Sequence, residues 1–376
     1  MSVDAAGSRM RALMIYLEPT PYVLALVRSV AARAGAPVDV AFVAANLSQP
    51  WNLPIDGLPG RYLPEGIGAS IRDVARTLRS GAYDVVHLAG WGHPVLFVAI
   101  ILAALKGIPT VVESDSALQK GQRWTRRAVK RLVYPLLLRL PAAFLPGGTR
   151  QKRYLMHYGV PEDRIVIAQM TVDIAEVARS AGPNVRGAGR AALAVGADDC
   201  VFLYVGRLEP AKDIAGLLDA FAQVSERSGY VHLCVVGDGA LRSLVDRAAS
   251  NSQRVHFLGR LSGEALWNSY AAADVLVLPS LFEPWGLVVN EAMAAGLPVI
   301  ASDAVGCVDD LVIDGQTGIV IDAGSRQDLA SAMTRLAENP AVRASMGGAA
   351  RRRIAGWTIE AEADIVVDTW RRVGKA

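Results

Sequence analysis

Cysteine is scarce in this chain of 376 residues: there are three, Cys200, Cys234 and Cys307, far apart and without a Cys-x-x-Cys pair. A disulfide framework and a cysteine-rich zinc site are therefore not expected, and the pattern suits a reducing cytoplasm. An excess of either charge is missing as well. Lys and Arg total 39 against 36 Asp and Glu, a net charge of +3, which gives no case for bulk nucleic-acid binding. Glycine (35) and proline (19) are near ordinary usage, so collagen-like and low-complexity classes are out. Long apolar runs are lacking. The longest, 95–105, stops at Lys106, short of the roughly 18–20 residues that span a bilayer. The first, 12–17, follows the polar start MSVDAAGSRMR and reads as a strand rather than a signal-peptide core. With 52% hydrophobic and 20% charged residues the chain is too apolar for disorder. Its length suggests two domains, at about 150 residues each.

What is present is a rhythm of strand, loop and helix. Residues 12–17, 38–43, 84–87 and 110–113 read as strands. Residues 22–33 read as a helix, with Val23, Leu26, Val27 and Val30 at three- and four-residue spacing. The second half repeats the rhythm, with strands at 201–205, 232–236, 255–258, 274–278, 299–301 and 317–321 and helices between them. Such alternation predicts an α/β protein with two doubly wound, Rossmann-like parallel sheets facing across a cleft. The expected domains are residues 1–175 and 195–357, joined by a turn-rich linker over 173–199. An amphipathic helix at 359–373 follows a polar break at Arg351–Arg353.

The strongest chemical signal is the run Leu281-Phe-Glu-Pro-Trp-Gly-Leu-Val-Val-Asn-Glu-Ala-Met-Ala294. Glu283 falls in a loop after a strand, and Glu291 about one and a half turns into the next helix. Between them the N–H groups of Trp285, Gly286 and Leu287 make an open helix N-terminus. Carboxylates bind hydroxyls and N–H groups bind an anion, a combination that suits a nucleotide sugar. The plainer alternative is a helix-start charge at Glu283 and a solvated Glu291. A second signal is Val205-Gly206-Arg207-Leu-Glu-Pro-Ala-Lys212. There Gly206 permits close approach, and two cations at a strand end suit a diphosphate; two solvated surface cations are the alternative. Gly237-Asp-Gly239 and Gly259-Arg260-Leu261 also follow strands, and either pattern serves a tight turn equally well.

Taken in order and spacing, GRLEPAKD, VVGDG, HFLGRL and ADVLVLPSLFEPWGLVVNEAMAAGLPVIAS resemble the retaining GT-B glycosyltransferases, family four-like, a group that includes bacterial mannosyl- and glucosyltransferases related to glycogen and sucrose synthases. The resemblance is strong over 200–335 and holds in pattern before that. It implies that Glu291 holds the donor ribose and that Glu283 holds hydroxyls of the transferred sugar or faces its reacting carbon. Pro284, Trp285, Gly286 and Leu287 would present backbone groups to sugar and phosphate. Gly206, Arg207 and Lys212 would meet the diphosphate, and Arg260 and Leu261 the base. It further implies a metal-independent, cofactor-free reaction on a UDP- or GDP-linked sugar, an acceptor-binding first domain, and a tail helix (358–376) that crosses back onto it.

The chain departs from the family pattern in two places. Where a glycine-rich loop usually follows the first strand, it reads Glu18-Pro-Thr-Pro21, and proline offers no N–H. Where a histidine usually follows the strand at 110–113, it reads Glu113-Ser-Asp115-Ser116. Asp115 can accept a hydrogen bond from a sugar hydroxyl or act as a base, but when ionised it cannot donate as imidazole does. A solvated loop aspartate and a metal-binding pair with Glu113 are alternatives. His93, in Trp91-Gly-His-Pro94, is a further acceptor-side candidate.

Residues 119–139 carry seven cations (Lys120, Arg123, Arg126, Arg127, Lys130, Arg131 and Arg139) and no acid, interleaved with Trp124, Tyr134 and leucines. That suits a helix lying on an anionic membrane surface, kinked or ended by Pro135. The expectation is a cytoplasmic hexosyltransferase, peripheral on the inner membrane face, acting on a lipid-linked sugar or glycolipid. A nucleotide-sugar epimerase of the same fold and a silent sugar-nucleotide-binding subunit are the rivals.

Overall fold

The computed structural model describes residues 10–47, 53–55, 57–80, 83–118 and 124–374. The chain divides into two compact units, one of residues up to Met170 together with those from Ile359 on, the other Thr171–Thr358.

In the first unit the elements run β1 (Ala12–Tyr16), α1 (Pro21–Ala34), β2 (Val38–Phe42), β3 (Gly60–Tyr62), α2 (Ile67–Ser80), β4 (Val85–Leu88), α3 (Pro94–Leu105), β5 (Thr110–Ser114), α4 (Trp124–Leu137), β6 (Ala143–Pro146) and α5 (Thr149–His157). The sheet is parallel throughout, in the order β3-β2-β1-β4-β5-β6. Alternation along β1 explains its two cores. Leu13 and Ile15 pack with α2 and α3 residues such as Val74 and Leu96. Ala12, Met14 and Tyr16 face Val27 of α1 and Trp370 of the last helix. The residues Glu18-Pro-Thr-Pro21 start α1: the Thr20 hydroxyl accepts from Val23 N–H (3.4 Å), and Pro21 takes the first turn, where its missing N–H costs nothing.

The second unit holds α6 (Ile174–Ser180), α7 (Pro183–Ala192), β7 (Cys200–Val205), α8 (Ile214–Arg227), β8 (Val231–Val236), α9 (Arg242–Asn251), β9 (Val255–Gly259), α10 (Gly263–Ala272), β10 (Val275–Leu278), α11 (Leu287–Ala294), β11 (Val299–Ser302), α12 (Val308–Leu311), β12 (Gly318–Ile321), α13 (Arg326–Glu338) and α14 (Pro340–Ile354). Its parallel sheet runs β12-β11-β10-β7-β8-β9, the same winding as the first. The final helix, α15 (Ile359–Val373), packs on α1 and belongs to the first unit.

Several expectations need correction. Residues 173–199 are not a linker. They form α6 and α7, and the unit boundary falls at Met170/Thr171 rather than near 175–195. Asp173 caps α6 through Glu176 N–H (2.8 Å), and Pro183 opens α7. Gly189, which looked like a turn former, lets α7 close on α10: a Cβ there would lie 2.6 Å from the Asn268 carbonyl oxygen. Arg351–Arg353 do not break the chain, because α14 runs through them to Ile354. Between β2 and β4, β3 and α2 add an edge strand and a helix that the sequence reading left out. Pro135 neither ends α4 nor coincides with its last residue; the helix runs two residues further.

Candidate functional site

In the second unit the candidate residues gather at the carboxyl ends of the strands, where the strand order reverses between β7 and β10. Backbone bonds stitch four loops together there. Gly206 N–H donates to the Val236 carbonyl (3.0 Å), Leu208 to Asp238 (2.8 Å), Gly237 to Gly259 (2.8 Å) and Leu281 to Ala211 (2.8 Å). This is the work of the Gly-Asp-Gly turn. A Cβ on Gly237 would sit 1.8 Å from the Gly206 carbonyl oxygen, and one on Gly239 2.6 Å from that of Leu208. The two glycines serve loop-to-loop contact.

The stitching brings Lys212 to Glu283. Lys212 lies in a 3-10 turn before α8, not in the helix itself, and its ammonium donates to Glu283 Oε2. Both side chains are largely buried, with 10% and 16% of their surface exposed, so neither is a solvated surface charge. The Glu283 backbone is pinned to the loop after β11 by Gly306 N–H (2.9 Å) and the Ala304 carbonyl (3.3 Å). Trp285 is fixed by a stack on Trp357 (centroids 5.6 Å apart) and by its indole N–H to Asn290 Oδ1 (3.1 Å). Gly286 opens α11 at φ 99°, a left-handed conformation, with no room for a Cβ between Leu278 and Val305 (3.2 Å each). Among the described residues no protein acceptor takes the N–H groups of Trp285, Gly286 or Leu287, so they remain available to an anion.

Glu291 is held by the Tyr270 hydroxyl, which donates to its Oε2. Desolvation pushes its carboxyl up to about 7, the Tyr270 hydrogen bond pulling the other way. A freely solvated Glu291 is thereby corrected. Arg207, by contrast, is exposed and paired with Glu209 (3.0 Å). Arg260 is exposed beyond β9, and Leu261 is half-buried beside it.

In the first unit the sheet's carboxyl edge carries carboxylates. Glu113, at the end of β5, accepts on Oε1 from the Tyr16 hydroxyl (2.7 Å) and from His87 Nε2 (2.7 Å). The His87 tautomer follows from its other nitrogen, which accepts from the Trp370 indole N–H (3.1 Å); indole can only donate, so Nε2 carries the proton. Glu113 is thus occupied by a buried chain from Trp370 through His87. Among the described residues no group of three or more His, Cys, Asp or Glu is arranged to hold a metal ion. Asp115 is exposed, yet desolvation by the surrounding protein and the Glu113 charge raise its pKa. Its charge, with those of Glu18 and Glu113, is felt at Tyr22. His93 caps α3, its Nδ1 accepting from Val95 N–H (3.3 Å).

The sequence reading missed His87, Trp370 and Tyr270. His87 carries a signal, a polar residue inside the apolar run 85–88; Trp370, between Thr369 and Arg371, and Tyr270, after Asn268 and Ser269, sit among polar neighbours and give none.

Residues 119–123 of the basic stretch lie outside the described residues. Lys130 of α4 is half-buried: it donates to the Tyr154 hydroxyl (3.0 Å) and sits over the Tyr134 and Tyr154 rings. Val133, Leu136 and Leu140 are exposed, as is Leu105. Among the described residues no helix is long and apolar enough to cross a membrane.

Residues 186–353 match the family described as Glycosyl transferases group 1, and residues 19–169 match the Glycosyl transferase 4-like domain. D-inositol 3-phosphate glycosyltransferase of Rhodococcus opacus (strain B4) is 30% identical over 369 residues, covering 90% of this chain and 79% of that protein. The enzyme of the same name from Arthrobacter sp. (strain FB24) is 28% identical over 333 residues, covering 83% and 77%. Among solved structures, Anabaena HepE in complex with UDP superposes with a TM-score of 0.80 at 21% identity, over 96% of this chain and 100% of that one. Sucrose-phosphate synthase from Thermosynechococcus elongatus gives 0.74 at 24%, over 97% and 99%. At such identities the superpositions speak to fold alone.

Proposed function

The chain belongs to the group 1, family four-like glycosyltransferases of GT-B fold, and from that premise we propose that it moves a hexosyl unit, with retention, from a UDP- or GDP-linked sugar to a hydroxyl of a lipid-linked sugar or glycolipid. The observation that carries the donor half is the meeting of Lys212, Glu283 and the open start of α11, with Glu291 held one turn further on. Glu291 accepts from the ribose hydroxyls. The N–H groups of Trp285 to Leu287, with Gly206, Arg207 and Lys212, receive the diphosphate. Arg260 and Leu261 flank the base. Glu283 and the Pro284 backbone hold the sugar.

In the reaction the bond from the anomeric carbon to the diphosphate oxygen breaks, and the acceptor oxygen bonds the same face. Its proton passes to the departing phosphate, whose growing charge Lys212 and Arg207 stabilise. Asp115 accepts a hydrogen bond from the acceptor. The reading calls for no metal and no further cofactor. Support for a membrane-borne acceptor is the exposed apolar set Val133, Leu136 and Leu140 beside Arg131 and Arg139 on the acceptor-side unit. A soluble cyclitol phosphate is the second reading for the acceptor, favoured by the names of the curated relatives.

The test is donor turnover with a panel of UDP- and GDP-sugars, offered bacterial lipid extract, inositol 3-phosphate or neither. Nucleotide release that needs the lipid, yields a heavier glycolipid and is lost in Lys212→Ala supports the proposal. Release that needs inositol 3-phosphate instead moves the acceptor to the second reading. Conversion of the sugar with no acceptor present points to an epimerase, and nucleotide binding without turnover to a silent subunit.

A further inference from the structure

At the opposite end of the second sheet, beneath the starts of β10 and β11, lies a cavity of about 250 Å³. It forms where α6, α10 and α11 end and α14 begins. Arg186, Arg343 and Arg351 line it, with Asp274, Tyr270 and Leu297. Asp274 is already committed to Arg186 (2.7 Å) and to Arg190 behind it (3.1 Å). Arg343 spends one nitrogen on the carbonyls of Leu336 (2.5 Å) and Ala337 (2.8 Å), and Arg351 one on Ala295 (3.1 Å). Among the described residues neither has a carboxylate partner.

A guanidinium has five N–H donors, so most of theirs remain for the cavity. The three helix ends each carry roughly half a negative charge. They offset most, but not all, of the excess of the three lining guanidinium groups over one carboxylate. The remaining wall, with Leu297, Pro298 and Ala344, is apolar.

The geometry points to a binding site for a small phosphomonoester, or for phosphate itself, separate from the donor edge and coupled to it. A planar fork of N–H donors suits phosphate oxygens, and the apolar wall suits a short carbon body. Two contacts lead from the cavity to the donor carboxylate. Tyr270, fully buried at the end of α10, is part of the cavity wall, and its hydroxyl holds Glu291. Arg351 grips the Ala295 carbonyl at the end of α11, the helix that carries Glu291. Gly296 is kept bare for this, since a Cβ there would lie 2.5 Å from Arg351 Nη2. An anion that draws Arg351 inward therefore alters the hold on α11. The site stands by itself; its coupling rests on the assignment of Glu291 to the donor.

The test is calorimetric titration of the full chain with inorganic phosphate and with glycerol 3-phosphate. Ionic strength is held constant, and saturating UDP covers the donor edge. One site is expected, weakened at least about 10-fold in Arg343→Gln/Arg351→Gln. Ala344→Trp, which fills the cavity and keeps every arginine, should abolish it too and guards against a folding defect in the double variant. In separate titrations phosphate should change UDP affinity in the parent by about threefold or more beyond whatever competition at the donor edge leaves in either variant, with UDP changing phosphate affinity by the same factor. No heat in the presence of UDP, or equal affinity in parent and variants, overturns the site. Binding that leaves UDP affinity unchanged overturns the coupling. If Glu291→Gln leaves UDP affinity unchanged, the donor assignment falls, while the phosphate titration is judged by itself.

Discussion

The loop leaving β10 in the second unit and the loop leaving β5 in the first occupy corresponding edges of two sheets wound alike, yet they are built on opposite electrostatic principles. At the first, Lys212 neutralises Glu283 beside an open helix start. At the second, Glu113 is held by the Tyr16 hydroxyl and His87 rather than by a Lys or Arg, close to Asp115. The lesson is that topology placed both edges and fixed neither chemistry. An edge of paired charges beside open N–H groups is suited to an anion, whereas an edge of carboxylates without a Lys or Arg partner is suited to hydroxyl donors.

The comparison breaks most severely at Lys212. Lys212→Ala leaves Glu283 mostly buried with its charge unpaired and removes the cation expected at the diphosphate. Turnover should fall by about 10²–10³-fold, measured as kcat at saturating donor. Lys212→Arg should recover part of it, because the charge returns in a different shape.

Glu291 sharpens the comparison through pH. Its carboxyl titrates near 7 in the folded chain against 4.5 in the open one. The folded state therefore holds an extra proton between those values, and stability falls as pH rises through that window. Glu291→Gln should be more stable than the parent at pH 8, by up to about 3 kcal/mol, and equal to it near pH 4, as read from denaturant midpoints. Donor affinity should run the other way. The parent should gain affinity as pH passes 7 and the carboxylate forms, and the variant should be weak and flat.

On the first unit the chain Trp370–His87–Glu113 is the point to cut. His87→Phe keeps the ring volume and leaves the Trp370 indole N–H without its acceptor and Glu113 without one of its two donors. A loss of about 2 kcal/mol in stability is expected. A thermal midpoint unchanged within error would show that the chain contributes nothing.

How much of this was legible beforehand follows from where each signal sits. The two sheets were readable because buried parallel strands appear as short apolar runs at regular spacing. The candidate residues of the second unit stood out together because one continuous stretch carries Glu283, the helix start and Glu291. The Lys212–Glu283 pair was not, since 71 residues separate its members and only loop stitching at Gly237 and Ala211 joins them. Nor was Trp370–His87, a bond across 283 residues. The linker misreading had a local cause. Glycines and small residues over 173–199 looked like turns, but Gly189 is bare so that a helix can pack closely, and Arg186 and Arg190 anchor it to Asp274.

The mildest test separates Arg207 from its neighbour Lys212, which the same motif brought forward. Arg207 is 57% exposed and its ion pair with Glu209 lies in water, where such pairs contribute about 0–1 kcal/mol. Arg207→Ala should therefore leave the thermal midpoint within error of the parent. Any effect must come through the ligand: a guanidinium that closes on the diphosphate only when donor is bound adds its stabilisation in the loaded state. Turnover should fall about 10-fold, with added salt narrowing the gap, since exposed charges are screened within about 10 Å at 0.1 M. If Arg207→Ala instead matched Lys212→Ala in turnover, exposure in the unliganded chain would be a poor guide to which cation carries the phosphate.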